Sequence, residues 1–232
     1  IDIRMKDGNM KKFTGNGGIG LISSRLTLEG PIVKDKGSFI VSGRRTYMDV
    51  MIKGAKEISQ SDRISEFPIH FYDLNTKLNF KLNENNRVYA SGYFGRDVFA
   101  FSSNSKSESN FDWGNYTTTI RWNHLFSKKL FSNFTLLASN YDYLLDNKFE
   151  VGQSDKKTYS FEYDAFVKDF SLKMDFGYYL NESNTIRFGA QSIYHDFKVG
   201  EVDGQQDDVQ YSFKLPKIQG IENTAYVSNE QK

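Results

Sequence analysis

Three glycines near the start of the chain have the spacing of a dinucleotide-binding turn. Gly15, Gly17 and Gly20, in "GNGGIG", satisfy the pattern G-x-G-x-x-G. Such a turn binds a pyrophosphate only where a helix begins within it, because the helix N-terminus holds the phosphates. The residues that follow, "LISSRLTLEGPI", alternate apolar and polar side chains as a strand does. We therefore predict no cofactor here and interpret the glycines as part of a hairpin between the first two strands.

The other reactive side chains do not form a catalytic or metal-binding pattern. The three histidines, His70, His124 and His195, fall on separate predicted strands without the spacing of metal ligands. No serine lies in a G-x-S-x-G turn, and the chain has no cysteine. The acidic stretch "EVDGQQDD" lacks the regular spacing and terminal Glu of a calcium loop, so a solvated loop tip is favoured. We predict neither a metal site nor an enzyme.

Charge and hydropathy narrow the functional classes. The 30 basic and 29 acidic residues are scattered and leave a net charge of +1, so no basic surface for nucleic acid is predicted. Mean hydropathy is −0.58, and no apolar run approaches the ~18 residues of a transmembrane helix. That criterion indicates a soluble protein, but it cannot detect membrane barrels, whose strands carry apolar residues only at alternate positions.

Alternation with a period of two residues recurs along the chain and predicts β-strands. In "YDLNTKLNFKL", Leu74 and Leu78 fall on one face and Asp73 and Lys77 on the other. The turn-forming "NENN" and a second alternating run follow, which together predict a hairpin. The alternation slips by one residue near Lys168–Asp169, which indicates a β-bulge.

The predicted connections alternate between short and long. The short ones are 33–37, 83–86, 127–129 and 181–184, and the long ones are 52–68, 102–114, 144–157 and 199–220. An up-and-down meander with this spacing has its tight turns at one end and its long loops at the other, as outer-membrane barrels do. A Greek-key sandwich would mix loop lengths at both ends.

These patterns predict an all-β, antiparallel, up-and-down transmembrane β-barrel. Predicted strands exceed the usual five or six residues, and their charged face suits a hydrated lumen. A girdle of aromatic residues near strand ends is expected to mark the membrane interfaces, drawn from Tyr47, Tyr72, Trp113, Tyr116, Trp122, Phe126, Phe131 and Tyr178. The alternative is a soluble β-sandwich that acts as a binding or adhesin-like module. About nine or ten strands are expected, and we interpret the chain as a fragment whose barrel is completed by sequence outside it.

Two stretches resemble a known family. "GGIGLISSRLTLEGPI" with "KGSFIVSGRRTYMDVM" resembles the plug-to-barrel junction of TonB-dependent outer-membrane receptors of the Bacteroidetes type, and "FYDLNTKLNFKLNENNRVYASGYFGRDVF" resembles their next hairpin. The resemblance implies a 22-stranded barrel in the outer membrane of a Gram-negative bacterium, filled by an N-terminal plug. Residues 1–9 would end the plug and residues 10–232 would form the N-terminal part of the barrel.

The resemblance also implies partners and a function. The partners would be outer-membrane lipid and the TonB complex, which would be reached through the region before residue 1. Whether a surface lipoprotein is a further partner is left open. The function would be uptake of a scarce nutrient, such as a glycan, siderophore, vitamin or peptide. Capture by extracellular loops would precede a TonB-driven rearrangement of the plug.

Two sets of residues are expected to carry this function. Aromatic side chains stack on sugars or heterocycles, and the ligand-binding set is Phe99, Phe101, Trp113, Tyr141 and Tyr143. Lumen-facing charges are expected to hydrate the inner wall and anchor the plug rather than contact ligand, and they are Arg25, Glu29, Arg44, Asp73, Lys77, Arg121, Lys173, Asp175 and Arg187. If Leu78 faces lipid, Leu78→Arg should destabilise the barrel, whereas Asn79→Arg should be tolerated.

Overall fold

A single antiparallel sheet makes up most of the chain. The computed structural model describes residues 5–59, 69–103, 107–151, 157–206 and 209–231. Its elements are β1 (Thr14–Ile19), β2 (Ser23–Val33), β3 (Gly37–Thr46), α1 (Met48–Ser59), β4 (Ile69–Asn83), β5 (Asn86–Ser103), β6 (Ser107–Leu125), β7 (Leu130–Val151), β8 (Lys157–Asn181), β9 (Asn184–Gln206), β10 (Val209–Lys214) and β11 (Ile218–Gln231). Strands β1 to β10 neighbour one another in chain order, and β11 also pairs with β9. The sheet is open, so the predicted all-β, up-and-down fold, as part of a barrel, is confirmed.

Strands β10 and β11 are two parts of one strand position. Lys214 lies opposite Glu201 and Ile218 opposite Phe197, so both strands follow β9 in the same register. The interruption at 215–217 contains Pro216, which has no N–H to donate to the sheet. Counted this way the sheet is ten strands wide, in agreement with the predicted nine or ten.

The two faces of the sheet differ as the alternation predicts. We call the face that carries Lys77 the inner face and the opposite face, which carries Leu78, the outer face. Leu78 is 45% exposed, and Leu74 and Leu136 on the same face are 44% and 54% exposed. Ala100 is the only buried apolar residue in the described part of the chain, whereas the polar Ser38 and Asn79 are fully buried. The described residues form one sheet and bury almost no apolar side chains, whereas the predicted alternative, a β-sandwich, would bury them between two sheets, so this arrangement favours the barrel.

Residues 5–8 lie against the inner face before the chain enters β1. The Lys77 ammonium lies 2.8 Å from the carbonyl oxygen of Met5 and 2.6 Å from the carboxylate of Asp7. Lys6 forms an ion pair of 2.7 Å with Glu29 of β2. The assignment of residues 1–9 to the end of a plug stays a prediction, and residues 1–4 lie outside the described residues.

The glycine motif lies mostly within a strand. Gly15 and Gly17 belong to β1 and pair with Leu28 and Leu26 of β2. Only Gly20 lies in the hairpin turn, where its N–H donates to the carbonyl oxygen of Ser23 at 2.9 Å. The second strand of a hairpin follows the motif, not a helix, so the glycines have no phosphate-binding geometry.

Three of the predicted long loops are mostly strand, which corrects the sequence analysis. The connections that the structure leaves between described strands are 104–106, 152–156 and 207–208, where loops of 102–114, 144–157 and 199–220 were predicted. In these strand ends polar and apolar residues occur on both faces, as at the adjacent Leu144 and Leu145, so the alternation of hydropathy that marks a half-buried strand is absent. The four short connections are confirmed as tight turns.

Three further details differ from expectation. The register of β8 against β9 shifts between Asp164 and Phe166, whereas Lys168 and Asp169 pair without interruption. The loop predicted at 52–68 contains most of α1, and 60–68 lie outside the described residues. Asn79 is only 1% exposed and donates to Ser38 at 2.6 Å, so the expectation that Asn79→Arg is tolerated is wrong.

No helix in the described ranges is long and apolar enough to cross a membrane.

Candidate functional site: an aromatic inner wall above an apolar outer band

The outer face carries two rows of aromatic rings. The row nearer the tight turns runs through Trp122, Phe134, Phe176 and Phe188, with successive ring centroids 5.3, 5.8 and 5.0 Å apart. The second row lies six residues further along β6, β8 and β9, at Tyr116, Phe170 and Tyr194, and Tyr72 and Phe94 extend it onto β4 and β5. Six residues of strand span about 20 Å, so the rows enclose an apolar band of that length, measured along the strands.

Two predicted girdle residues lie elsewhere. Trp113 and Phe131 pair in register with inner-face positions, and the Phe131 ring covers Gly177 on that face. Their assignment to the girdle is therefore wrong. Trp122 and Tyr116 lie in the two rows described above.

Beyond the second row, the outer face becomes charged. Arg96 contacts Asp112 at 2.6 Å and Asp142 at 3.0 Å. Further along, Glu201 pairs with Lys198 at 2.6 Å and also with Lys214. These hydrogen bonds from the two lysines lower the pKa of Glu201 to about 2. The strands therefore extend well past the apolar band into a region whose outer surface is held by ion pairs.

The inner face alongside the apolar band is polar. All nine residues predicted to face the lumen share this face, because each pairs in register with inner-face neighbours. Most are bound to one another or to nearby groups: Arg44 pairs with Asp73 at 2.7 Å, and Lys173 with Asp175 at 3.3 Å. The Arg121 guanidinium lies 4.3 Å from the ring centroid of Tyr89. Their role in hydrating the wall and anchoring a plug stays a prediction.

A cavity of about 410 Å³ opens at the level of the second aromatic row. Its inner-face lining includes Arg44, Asp73, Tyr93, Trp113 and Tyr141. Gly95 makes room for the Tyr93 side chain in this lining, because a Cβ there would overlap the Tyr93 hydroxyl. The cavity thus combines aromatic faces with a cation, carboxylates and amide groups, which suits a ligand that offers both a flat surface and polar groups.

The five aromatic residues predicted to bind ligand all lie on the inner face. Trp113 and Tyr141 line the cavity, and Tyr143 lies directly opposite Trp113 in the β6–β7 pairing. Phe99 packs edge-on against Phe101, with ring centroids 4.3 Å apart. The structure therefore brings these residues onto one wall, although their contact with a ligand stays a prediction.

Sequence reasoning missed other members of this wall. Phe71, Tyr93, Phe111 and Tyr163 share the inner face, with Phe111 6.1 Å from Phe99 and Tyr163 6.1 Å from Tyr143. Phe111 falls in the predicted loop 102–114, and extending that strand would have identified it. The other three lie in predicted strands, and their shared face with the predicted residues follows from the pairing between strands.

His195 is held between two carboxylates on the inner face. Its Nδ1 lies 2.7 Å from Asp169 and its Nε2 3.9 Å from Glu222. His70 and His124 lie on the outer face, far along the sheet from it. Within the described ranges, no group of three or more histidines and carboxylates could hold a metal ion.

Comparisons with known proteins support the architecture alone. No protein-family profile matches the chain, and no curated protein matches it in sequence. Among solved structures, it is similar to the ferric yersiniabactin uptake receptor FyuA from Yersinia pestis, at 14% identity and a TM-score of 0.51 over 97% of this chain. The chain has the fold of part of that barrel.

The match covers only part of the FyuA chain. The chain spans 37% of the length of the FyuA chain. A bacterial polysaccharide outer membrane secretin also aligns, at 7% identity over 90% of this chain and 91% of the secretin chain. Its TM-score of 0.17 is too low to inform the fold.

Proposed function

We propose that this chain forms part of the barrel wall of a TonB-dependent receptor in the outer membrane of a Gram-negative bacterium, where it takes part in the uptake of a scarce nutrient. The observation that carries the proposal is the outer apolar band bounded by two aromatic rows. An apolar band between aromatic girdles, opposite a polar lumen, is what a lipid-facing barrel requires. Outside a membrane, the exposed Ile120, Leu136 and Leu172 of this band would face water.

The N-terminal contacts support a plug inside the barrel. Residues 5–8 reach β1 from the inner face, which is where a domain filling the lumen would enter the wall. Lys77 and Glu29 bind this segment, which supports the proposal that these two lumen charges anchor it. Coupling to the TonB complex would depend on the region that precedes residue 1.

The aromatic inner wall is the proposed site of ligand capture. It lies beyond the apolar band, at the end of the sheet opposite the four tight turns, which would be the extracellular end. A glycan, siderophore, vitamin or peptide would stack on Trp113 and Tyr141 and form polar contacts with Arg44 and Asp73. A surface lipoprotein could cap this end, since the wall rises well above the band.

Two experiments on the full-length protein test this proposal. Extraction should require detergent, and the unboiled protein should migrate anomalously on a gel; recovery in the aqueous phase without detergent would contradict the barrel assignment. For capture, Trp113→Ala should weaken binding of one of four probes: a ferric siderophore, an oligosaccharide, a cobalamin and a short peptide. Trp122→Ala, on the outer face, is the matched control and should leave binding of that probe unchanged.

A further inference from the structure

Helix α1 begins on the outer side of the sheet. The carboxylate of Asp49, in its first turn, lies 3.4 Å from the Arg45 guanidinium and 4.0 Å from Nδ1 of His70. Arg45 and His70 are both outer-face residues of β3 and β4. The His70 ring stacks on Tyr72 with centroids 6.3 Å apart, and Tyr72 belongs to the second aromatic row. The helix therefore starts at the upper edge of the apolar band, on the same side as that band.

The apolar side of α1 faces away from the protein. Val50, Met51 and Ile58 are 58%, 48% and 86% exposed. At 3.6 residues per turn these three residues share one side of the helix with Gly54, where an added Cβ would meet open space. Asp49 marks the opposite side, next to the sheet, and that side also carries the half-buried Ile52 and Lys56. A helix that packs on a protein in water shows the reverse arrangement, with its apolar side turned inward.

We propose that α1 is an interfacial helix that lies in the outer leaflet of the membrane, with Val50, Met51 and Ile58 inserted at the boundary between headgroups and acyl chains. This inference rests on the proposed function, because it requires the outer apolar band to face lipid. A bilayer is the occupant that the structure favours, since the helix begins beside His70 and Tyr72, at the edge of the exposed apolar band and on the same side of the sheet. The exposed Lys53 lies next to this apolar side on the helix and suits the anionic headgroup region.

The inference can be tested by labelling single cysteines, because this chain contains none of its own. Met51→Cys, Ile58→Cys and the matched control Lys53→Cys are introduced into the full-length protein, with any cysteine elsewhere removed. Each is labelled with an environment-sensitive fluorophore and reconstituted into vesicles of known composition. Leu78→Cys, in the middle of the band, reports whether the outer face itself contacts lipid.

The expected result is a blue-shifted emission at positions 51 and 58 that is lost when nitroxide-labelled lipid is included. The label at position 53 should instead be quenched by aqueous iodide. Iodide quenching at 51 and 58 equal to that at 53 would overturn the inference, and shielding from iodide without quenching by lipid would show a protein partner instead. If the Leu78→Cys label also escapes lipid quenching, the membrane-barrel proposal itself fails; if only positions 51 and 58 escape, the helix inference alone fails.

Discussion

The ammonium group of Lys77 binds the N-terminal segment at two points, the carboxylate of Asp7 at 2.6 Å and the carbonyl oxygen of Met5 at 2.8 Å. The Lys77 side chain is 12% exposed and that of Asp7 42% exposed, so water screens this pair less than it would a fully exposed one. One side chain of β4 therefore connects residues about seventy positions earlier to the inner wall.

Removing the ammonium group should release this segment. We expect Lys77→Met in the full-length protein to speed amide hydrogen exchange across residues 5–9, because both the ion pair and the hydrogen bond to Met5 are lost. Lys173→Met is a matched control, since Lys173 is also an inner-face lysine but pairs with Asp175. Exchange that is unchanged in Lys77→Met would show that the segment is held by other contacts.

Gly8 offers an independent test of how the N-terminal segment binds the inner wall. A Cβ at this position would overlap the carbonyl group of Phe39, and a backbone carbonyl within a sheet cannot move aside as a flexible side chain can. Gly8→Val should therefore displace the segment and give the same faster exchange at residues 5–9 while Lys77 is intact. Gly54→Ala, where the added Cβ meets open space, should not alter exchange there. Equal exchange in both variants would place Gly8 away from β3.

How far the sequence predicts this structure depends on what each strand faces. Between the aromatic rows, Lys77 and Leu78 face a polar and an apolar environment, so alternation assigns their faces correctly. Beyond the second row both faces mix polar and apolar side chains, so alternation does not show that Phe99 and Phe101 lie within β5. The hydrogen bonds that extend these strands are between backbone groups, which no side-chain pattern records.

Two other features could not be read from periodicity. In α1 the apolar residues Met48, Met51 and Ile52 do have helical spacing. The helix is short and directly follows a strand, so this spacing does not distinguish it from the loop predicted at 52–68. The contact of Lys77 with Asp7 joins distant parts of the chain, and only the three-dimensional fold brings them together. The aromatic cavity was predicted in part, because residue type indicated Trp113 and Tyr141 but not their neighbours Arg44 and Asp73 across the sheet.

A charge on the outer face should destabilise the barrel far more than a charge on the inner face. Ile120 lies within the apolar band between Ala90 and Leu136, whereas Thr117, three residues away, faces inward beside Tyr93. We expect Ile120→Arg to lower the free energy of unfolding in lipid by about 2–4 kcal/mol and Thr117→Arg by less than about 1 kcal/mol. Reversible urea unfolding in lipid vesicles measures both, and similar losses would contradict the assignment of the two faces.

The two tryptophans of the chain should respond differently to lipid. Trp122 is in the first aromatic row of the outer face, and Trp113 lines the inner cavity. In vesicles with brominated acyl chains, Trp122→Phe should remove part of the quenchable emission of the full-length protein, because bromine quenches only rings that it contacts. Trp113→Phe should remove emission that bromine does not quench. The reverse pattern would exchange the inner and outer faces.

The ion pairs of Glu201 should make the pairing of β10 with β9 sensitive to acid. Lys198 and Lys214 both hydrogen-bond the Glu201 carboxylate and lower its pKa to about 2 from 4.5, and Lys214 belongs to β10. Because the folded pKa is the lower one, the stabilisation is fully present above pH 4.5 and is lost as the pH falls toward 2. A spin label at Ser212→Cys should therefore be immobile at pH 6 and gain mobility between pH 4.5 and 2. With Glu201→Gln added, the label should already be more mobile at pH 6 and change much less on acidification, because the amide cannot form an ion pair with either lysine. A label that keeps the same mobility at pH 6 in both proteins would show that backbone pairing alone holds β10 in place.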